Sequence, residues 1–253
     1  MTVTNGFVVR RAMVLAAGLG LRMRPLTLTR PKPLLTVAGT TLLDHTLDRL
    51  ATAGIETAVV NSHYLGEMVV AHLANRTRPT IISSPEPVAL ETGGGPKFAL
   101  HHFGDDAFVV ANADILWLDG AVPAVRRLAA AWNPAKMDAL LLLMPRDRAH
   151  GYQGPGDYGL DADGRPHHRG AADSAPLVFA GVHITRPEAF ADTPDGGFSA
   201  RLIWDRAEAV GRLHGLVHDG AWFHVGTPED LAATEHWFQT GGLGGVAPGP
   251  AKG

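Results

Sequence analysis

The chain reads Leu15-Ala16-Ala17-Gly18-Leu19-Gly20-Leu21-Arg22-Met23-Arg24-Pro25 near its start, and Lys32-Pro33-Leu34 follows. An apolar run in front of the glycines, residues 12–16, predicts a first buried strand. The two glycines allow a sharp turn in which backbone N–H groups approach a ligand. Two arginines and a lysine add positive charge, and a guanidinium matches the geometry of phosphate oxygens. The stretch therefore predicts a loop that binds a polyphosphate directly after the first strand.

Two better-known phosphate-binding motifs do not fit this stretch. Its G-x-G-x-R spacing lacks the third glycine of the dinucleotide-binding fingerprint and the acidic residue about 20 positions later. It also lacks the G-x-x-x-x-G-K-[ST] pattern of a P-loop. A glycine turn with solvated arginines is the alternative that the spacing alone leaves open.

The composition limits the class of protein. A length of 253 residues with 45% hydrophobic residues suits one large α/β domain. The net charge of −3 gives no overall attraction to nucleic acid or an anionic membrane, so any phosphate binding must be local. The absence of cysteine excludes disulfides and fits a reducing compartment. With no signal-peptide pattern and no apolar run near 20 residues, we expect a cytoplasmic protein without membrane or nucleic-acid partners.

Strand and helix patterns alternate along the chain. Strands are predicted at 12–16, 57–61, 80–83, 107–111, 138–144, 177–184 and 213–217. Helices are predicted at 41–53, 65–74, 91–100, 122–132, 199–209 and 229–238, with loops and short hairpin strands over 146–174. This alternation predicts an α/β fold with a parallel sheet and helices on both faces. We expect an extension at 1–11, one domain at 12–239 and a loose Gly/Pro-rich tail at 240–253.

Polar residues follow two of the predicted strands. Ligands of parallel sheets bind at the carboxyl ends of the strands, where the glycine loop and the sequence Asn112-Ala113-Asp114 both fall. The Asp114 carboxylate can hold Mg²⁺, which takes few protein carboxylates and completes its shell with phosphates and water. A turn aspartate or a helix cap before Leu118 is the alternative interpretation.

Glycines also mark two later segments. Glu91-Thr92-Gly93-Gly94-Gly95 opens a predicted helix and leaves bare backbone against which a flat group can pack, with N–H groups at 92–94 available to the carbonyls of a ligand. Glu86, just upstream, either accepts a hydrogen bond from a ligand N–H or is a solvated loop residue. Gly181, inside a predicted strand, indicates either a bulge or close approach of a ligand to the backbone.

The whole pattern closely resembles the signature of sugar-1-phosphate nucleotidyltransferases, in which L-A-[AG]-G-x-G-x-R-[ML]-x-P-L-T is followed by K-P-L. The resemblance extends over about residues 12–238 in the same order. It implies a Rossmann-like, GT-A-like fold with a mixed, mostly parallel sheet. It also implies transfer of a nucleoside monophosphate to a sugar-1-phosphate, with a nucleoside triphosphate as the second substrate, Mg²⁺ as cofactor and pyrophosphate as product.

The resemblance also implies roles for individual residues. The catalytic positions are Arg22 and Lys32, which bind phosphate, and Asp114, which binds the metal. The nucleotide-binding positions are Ala17, Gly18, Gly20, Glu86, Thr92, Gly93, Gly94 and Asn112. The sugar-binding positions are Asp157, Gly159 and Gly181. In the late motif at 222–227, His224 stands where many members have a second metal-binding aspartate. Histidine is a poor ligand for Mg²⁺, so His224 acts near the metal through water or contacts phosphate.

Within this family, the short length and the string at 90–95 look most like the N-acetylmuramate-1-phosphate uridylyltransferases of cell-wall recycling. We therefore expect UMP transfer from UTP to N-acetylmuramate-1-phosphate. The alternatives are a mannose-1-phosphate guanylyltransferase that makes GDP-mannose and a non-catalytic nucleotide-sugar-binding protein, which only the His224 departure favours. The sequence does not indicate an oligomeric state.

Overall fold

The computed structural model describes residues 7–242 of the chain. Its strands are β1 Arg11–Leu15, β2 Thr36–Val37, β3 Thr40–Thr41, β4 Thr57–Ser62, β5 Thr80–Pro85, β6 Phe108–Asn112, β7 Leu116–Leu118, β8 Ala139–Pro145, β9 Ala149–His150, β10 Tyr158–Leu160, β11 Pro166–His168, β12 Leu177–Thr185, β13 Leu213–Val217 and β14 Ala221–Phe223. Its α-helices are α1 Leu42–Ala53, α2 Gly66–Leu73, α3 Glu91–Phe98, α4 Ala124–Ala131, α5 Arg201–Ala209 and α6 Pro228–Gln239.

A nine-stranded sheet forms the centre of the described chain. Its main path runs β11-β10-β12-β6-β1-β4-β5, and β8 pairs with β12 and β13. Strands β6, β1, β4 and β5 are mutually parallel, whereas β12 runs antiparallel to β6 and β8. The predicted mixed, mostly parallel sheet is confirmed.

Both faces of this sheet are covered because side chains alternate along each strand. In β1, Ala12 and Val14 enter one apolar cluster, which also receives residues of α1, α2 and α4. Met13, between them, enters the opposite cluster together with residues of α5. Buried leucines at helical spacing hold α1 on the first face, and Gly54, with φ 101°, ends that helix in a left-handed conformation.

The parallel strands bring separate parts of the sequence to one edge. Strands β1, β4, β5 and β6 end at Leu15, Ser62, Pro85 and Asn112. Because the four strands are parallel, the segments that follow them meet at the carboxyl edge of the sheet. This edge therefore carries the glycine loop, the segment after β5 and Asp114.

A second sheet of three short strands, in the order β7-β14-β9, joins residues far apart in sequence. Trp222 of β14 pairs with Trp117 of β7. The sequence did not predict β7, because three residues are too few to establish a period. Since Asp114 leads into this strand, the helix-cap interpretation of Asp114 is wrong. At the start of α6, the Thr227 side chain accepts from the backbone N–H of Asp230, and Pro228 is the first helical residue.

The ends of the domain agree in part with the predicted boundaries. The first strand begins at Arg11, and α6 ends at Gln239. Residues 1–6 and 243–253, which include most of the predicted extension and tail, lie outside the described residues. The domain boundaries therefore remain a prediction. Among residues 7–242, the structure contains no helix with the length and apolar character needed to cross a membrane.

His183 is a titratable side chain in the middle of the sheet. It lies on β12 and is 5% exposed, and its ring contacts Phe179 and Trp204 edge-on at centroid distances of 5.9 and 5.2 Å. Its Nδ1 atom has no hydrogen-bond partner within the described part of the chain. Burial lowers the pKa of His183 to about 3.

This burial predicts a loss of stability in acid. Below about pH 6.5 the unfolded chain binds a proton at His183 that the folded chain does not bind, so the free energy of unfolding falls as the pH falls. We expect His183→Leu to remove this contribution. The difference in unfolding free energy between wild type and variant should change by about 2 kcal/mol between pH 7.5 and pH 5. Urea unfolding at both pH values measures this change. If the unfolding free energies of wild type and variant depended on pH in the same way, His183 would not be the source of the acid sensitivity.

Candidate active site

The glycine loop after β1 is folded by its own contacts. Gly20 has φ 60°, and a Cβ atom there would lie 3.0 Å from Thr27 Cγ2 and 3.2 Å from Lys32 Cβ. The buried Thr27 hydroxyl donates to the Gly20 carbonyl at 2.8 Å. Tyr64, from the segment after β4, donates to the Thr27 carbonyl at 2.8 Å. Gly20 is therefore required by the left-handed turn and by the close packing of the loop itself.

This loop forms one wall of a cavity of about 680 Å³ at the carboxyl edge of the sheet. The predicted site residues that line it are Ala17, Gly18, Gly20, Arg22, Lys32, Glu86, Thr92, Asn112 and Asp114. The glycine loop, residues 89–92 and Gly226 of the late motif all contribute to the lining of the cavity. The structure thus brings together residues that are separated by more than 200 positions, as Gly226 and Ala17 are.

The two predicted phosphate-binding cations have different surroundings. Lys32 is 8% exposed, and its Nζ donates to Asp114 Oδ2 at 2.8 Å. Arg22 also lines the cavity but is exposed, and its guanidinium has no hydrogen bond or ion pair with any residue between 7 and 242. Arg24, the third cation of the stretch, does not line the cavity. The cavity therefore contains one cation held by a carboxylate and one that is free to bind an anion.

The glycines of α3 have a different purpose from the predicted one. The N–H groups of Gly93 and Gly94 both donate to the Phe198 carbonyl, at 2.8 and 3.1 Å. A Cβ atom at Gly93 would collide with the Phe198 ring, and one at Gly94 with the Gly196 carbonyl. Neither glycine lines the cavity. The expectation that these two N–H groups face a nucleobase is corrected, because close packing against residues 196–198 uses both of them.

Glu86 is a buried part of the cavity wall. It is 5% exposed, so the solvated-loop interpretation is wrong. Its Oε1 atom accepts from Asn61 Nδ2 at 2.6 Å, and its Oε2 atom accepts from the Leu90 N–H at 2.9 Å. Asn61 itself lines the cavity, and sequence analysis missed it. Its position at the end of the apolar run 57–61 was the one available signal.

The predicted sugar-binding residues lie outside the cavity lining. Gly181 has φ 79° and lies where the β12–β8 register shifts between Phe179 and His183, so it forms the bulge that the sequence offered as one alternative. Asp157 accepts the Phe179 N–H at its Oδ2 atom, at 2.8 Å. Gly159 pairs with His167 in β10–β11. The role of these three residues toward a sugar remains a prediction.

His224 lies beside the cavity. The backbone N–H of His224 donates to the His150 carbonyl at 2.8 Å, and the His224 ring packs edge-on against Tyr152. Its Nε2 atom lies against Gly226, where a Cβ atom would collide with it. Burial is the main cause that lowers the pKa of His224; Asp230 opposes this effect, and the nearby Arg22 and Lys32 charges add to it. The ring is therefore neutral at neutral pH.

Comparison with known proteins agrees with this arrangement. The family model for nucleotidyl transferases matches residues 11–154. An N-acetylmuramate alpha-1-phosphate uridylyltransferase from Caulobacter vibrioides is 50% identical over 229 residues, covering 88% of this chain and 95% of that protein. The enzyme of the same name from Neisseria meningitidis is 38% identical over 224 residues, covering 86% and 93%. A mannose-1-phosphate guanylyltransferase from Mycobacterium tuberculosis is more distant, at 29% identity, covering 95% of this chain and 66% of that protein.

Solved structures share the fold. HddC from Yersinia pseudotuberculosis, in a crystal structure described as complexed with GMP-PN, superposes with a TM-score of 0.74 at 19% identity, covering 91% of this chain and all of that one. This likeness concerns the fold, whereas the family match and the 50% identity concern the sequence of most of the chain. Together with the cavity after β1, they lead to one conclusion. The chain belongs to the nucleotidyl transferase family.

Proposed function

We propose that the protein transfers UMP from UTP to N-acetylmuramate-1-phosphate and releases pyrophosphate, a reaction of cell-wall recycling in the cytoplasm. The observation that carries this proposal is the cavity in which an unpaired Arg22 faces the same space as the Lys32–Asp114 ion pair. A free guanidinium and a partly screened ammonium suit a polyphosphate next to a second phosphate. The names of the relatives at 50% and 38% identity support the choice of nucleotide and sugar.

The chemistry needs no activated serine or histidine. A sugar phosphate is already an anion at neutral pH, because the second pKa of a phosphate monoester lies near 6. One of its oxygens forms a bond to the α-phosphorus of the nucleotide while the bond from that phosphorus to the bridging oxygen breaks, and pyrophosphate leaves with the electron pair. The obstacle is repulsion between two polyanions, together with the charge that develops around the α-phosphorus. Arg22 and Lys32 reduce both by position and charge.

Asp114 fits a magnesium ion that protein and substrate hold jointly. Its Oδ2 atom faces Lys32, its Oδ1 atom has no partner among residues 7–242, and its side chain is 39% exposed. Mg²⁺ binds through one or two carboxylates plus phosphates and water. The same residues contain no cluster of three His, Cys, Asp or Glu side chains suited to a metal, so substrate phosphates would complete the shell. A bound Mg²⁺ supplies charge neutralisation at the phosphates, and the neutral His224 ring is assigned to a water or phosphate contact.

Glu86 is the residue we assign to the base. Two of its acceptor positions are used by Asn61 and the Leu90 N–H, and a carboxylate can accept further bonds. The N–H of a uracil ring would supply such a donor, and the N–H of guanine would do so as well. The preference for UTP over GTP therefore rests on the relatives, and the experiment below tests it.

A panel of substrates tests the proposed function. Purified protein with Mg²⁺ is given UTP, GTP, dTTP or ATP with N-acetylmuramate-1-phosphate, glucose-1-phosphate or mannose-1-phosphate, and pyrophosphate release is measured. We expect UTP with N-acetylmuramate-1-phosphate to exceed the other pairs by about 10²-fold or more, since unpaired buried polar groups are strongly penalised. Preference for GTP with mannose-1-phosphate would make the protein a guanylyltransferase. The absence of turnover with every pair would favour the non-catalytic alternative.

We expect Arg22→Ala and Lys32→Ala each to lower kcat/KM by about two to three orders of magnitude, the effect of losing one preorganised charged donor. Their effects on stability should differ. Arg22→Ala should leave the free energy of unfolding nearly unchanged, because the side chain is exposed and unpaired. Lys32→Ala should lower it by about 1–3 kcal/mol, since it removes a nearly buried charged hydrogen bond to Asp114.

Arg24→Ala is the matched control for these two variants. Arg24 belongs to the same loop and is exposed, but it does not line the cavity. We expect its kcat/KM to stay within about threefold of wild type, because surface charges away from a site contribute little. If all three variants lost activity equally, the effect would be one of overall charge, and the specific assignment of Arg22 and Lys32 would be wrong.

Asp114→Asn tests the metal assignment. The amide oxygen can still accept from Lys32, but the charge that attracts Mg²⁺ is lost. We expect activity to fall by about 10²-fold or more and the Mg²⁺ concentration for half-maximal activity to rise. Asp163→Asn, at a carboxylate that is 74% exposed in the β10–β11 turn, should change neither quantity. An unchanged magnesium dependence in Asp114→Asn would contradict the role of Asp114.

A further inference from the structure

Three hydrogen bonds connect the loop after β1 to the segment after β5. The Ala16 N–H donates to Asn61 Oδ1 at 2.7 Å, and Asn61 Nδ2 donates to Glu86 Oε1 at 2.6 Å. The Leu90 N–H then donates to Glu86 Oε2 at 2.9 Å. All three bonds are buried, and all four residues line the cavity. The two loops that face the proposed nucleotide are thus joined through one amide and one carboxylate.

The chemistry of the partners fixes the orientation of the Asn61 amide. A backbone N–H can only donate, so the Asn61 carbonyl must face Ala16. The oxygens of a carboxylate accept, so the Asn61 amino group must face Glu86. Both ends of the amide are therefore specified by its neighbours. A side chain of the same shape with a different donor pattern cannot replace it.

Little space is left for this pair to move. Asn61 is 2% exposed, and Glu86 is 5% exposed. A Cβ atom at Gly95 of α3 would lie 2.7 Å from Glu86 Oε1 and 2.8 Å from Asn61 Nδ2. The backbone of α3 therefore closes over the hydrogen bond between them. Asn61 pairs with Ser84 of β5, and the preceding residue Val60 pairs with Val14 of β1, so the sheet fixes the backbone at this position.

We propose that Asn61 is a positioning residue for nucleotide binding, which acts through Ala16 and Glu86. It fixes the distance between the phosphate-binding loop, which continues from Ala16 to Arg22, and the base-binding segment from Glu86 to Thr92. A nucleotide that contacts both segments needs both at the correct separation, and displacement by about 1 Å can cost about 10²-fold in rate. This inference rests on the proposed function, since it presumes that one nucleotide spans the cavity.

An exchange of the two functional groups tests the inference. Asn61→Asp brings two acceptors face to face, and Glu86→Gln brings an amide donor toward one of the two donors that approach this position. We expect each single variant to raise the KM and the Kd for UTP by about tenfold or more, while the KM for the sugar phosphate changes less. In the double variant, the introduced amide donates to the introduced carboxylate and still accepts from the Leu90 N–H. All three hydrogen bonds return, and only the direction of the middle one is reversed. The double variant has the same net charge as the wild type.

The inference therefore expects the double variant to bind UTP about threefold or more tightly than either single variant. Full recovery is not required, because Glu86→Gln also changes the group assigned to the base. Asn75→Asp is the control for added charge, because Asn75 is exposed and lies in the same crossover between β4 and β5. Losses that multiply in the double variant, or single variants with unchanged UTP affinity, would overturn the positioning role. If Asn61→Asp fails to fold, Asn61→Ala removes both hydrogen bonds without adding charge, and it should weaken UTP binding by a similar factor.

The readouts separate this inference from the proposed function. The Kd for UTP is measured calorimetrically in the absence of sugar phosphate, so it does not require turnover. If wild type binds UTP but transfers nothing to any sugar phosphate, the proposed reaction is wrong, and the exchange still tests Asn61. If wild type turns over as proposed and the exchange gives no recovery, the positioning role alone is wrong.

Discussion

The site depends on the parallel pairing of β1 with its two neighbours. Val14 of β1 pairs with Val60 of β4 on one side and with Ala111 of β6 on the other. Because these strands run in the same direction, the segments that follow them share one edge, and the Arg22 loop, Asn61 and Asp114 meet there. Each of the other features at the site, whether ion pair, buried amide or close glycine, requires this register first.

Charge at this edge is arranged locally, within a chain whose net charge is −3. Lys32 is nearly buried, and a buried ammonium needs a partner, which Asp114 supplies at 2.8 Å. Arg22 is exposed and has no partner within the described part of the chain, so its charge is available to a ligand. The proposed reaction uses this difference: Lys32 and Asp114 are held in place before any substrate binds, and Arg22 gains its partner when phosphate arrives.

The glycines in and around the site are required for different physical reasons. Gly20 allows a left-handed turn, Gly93 and Gly94 allow the start of α3 to pack on residues 196–198, and Gly95 leaves room for the Asn61–Glu86 hydrogen bond. A sequence indicates only that a side chain is absent. Whether the space is used by a ligand or by the protein itself depends on which distant segment lies against it, as Phe198 does here.

The sequence alone determined the alternation of strands and helices, the loop after β1 and the polar residues after β6, because apolar periodicity and glycine spacing are local properties of the chain. It also indicated the family, through a motif that occupies one continuous stretch. Tertiary structure decided what depends on contacts between distant residues. Glu86 is buried because Asn61 and Leu90 satisfy it, and His183 is neutral because Phe179 and Trp204 surround it. The roles of Gly93 and Gly94 were also decided there, since their partner carbonyl lies about 100 residues further along the chain.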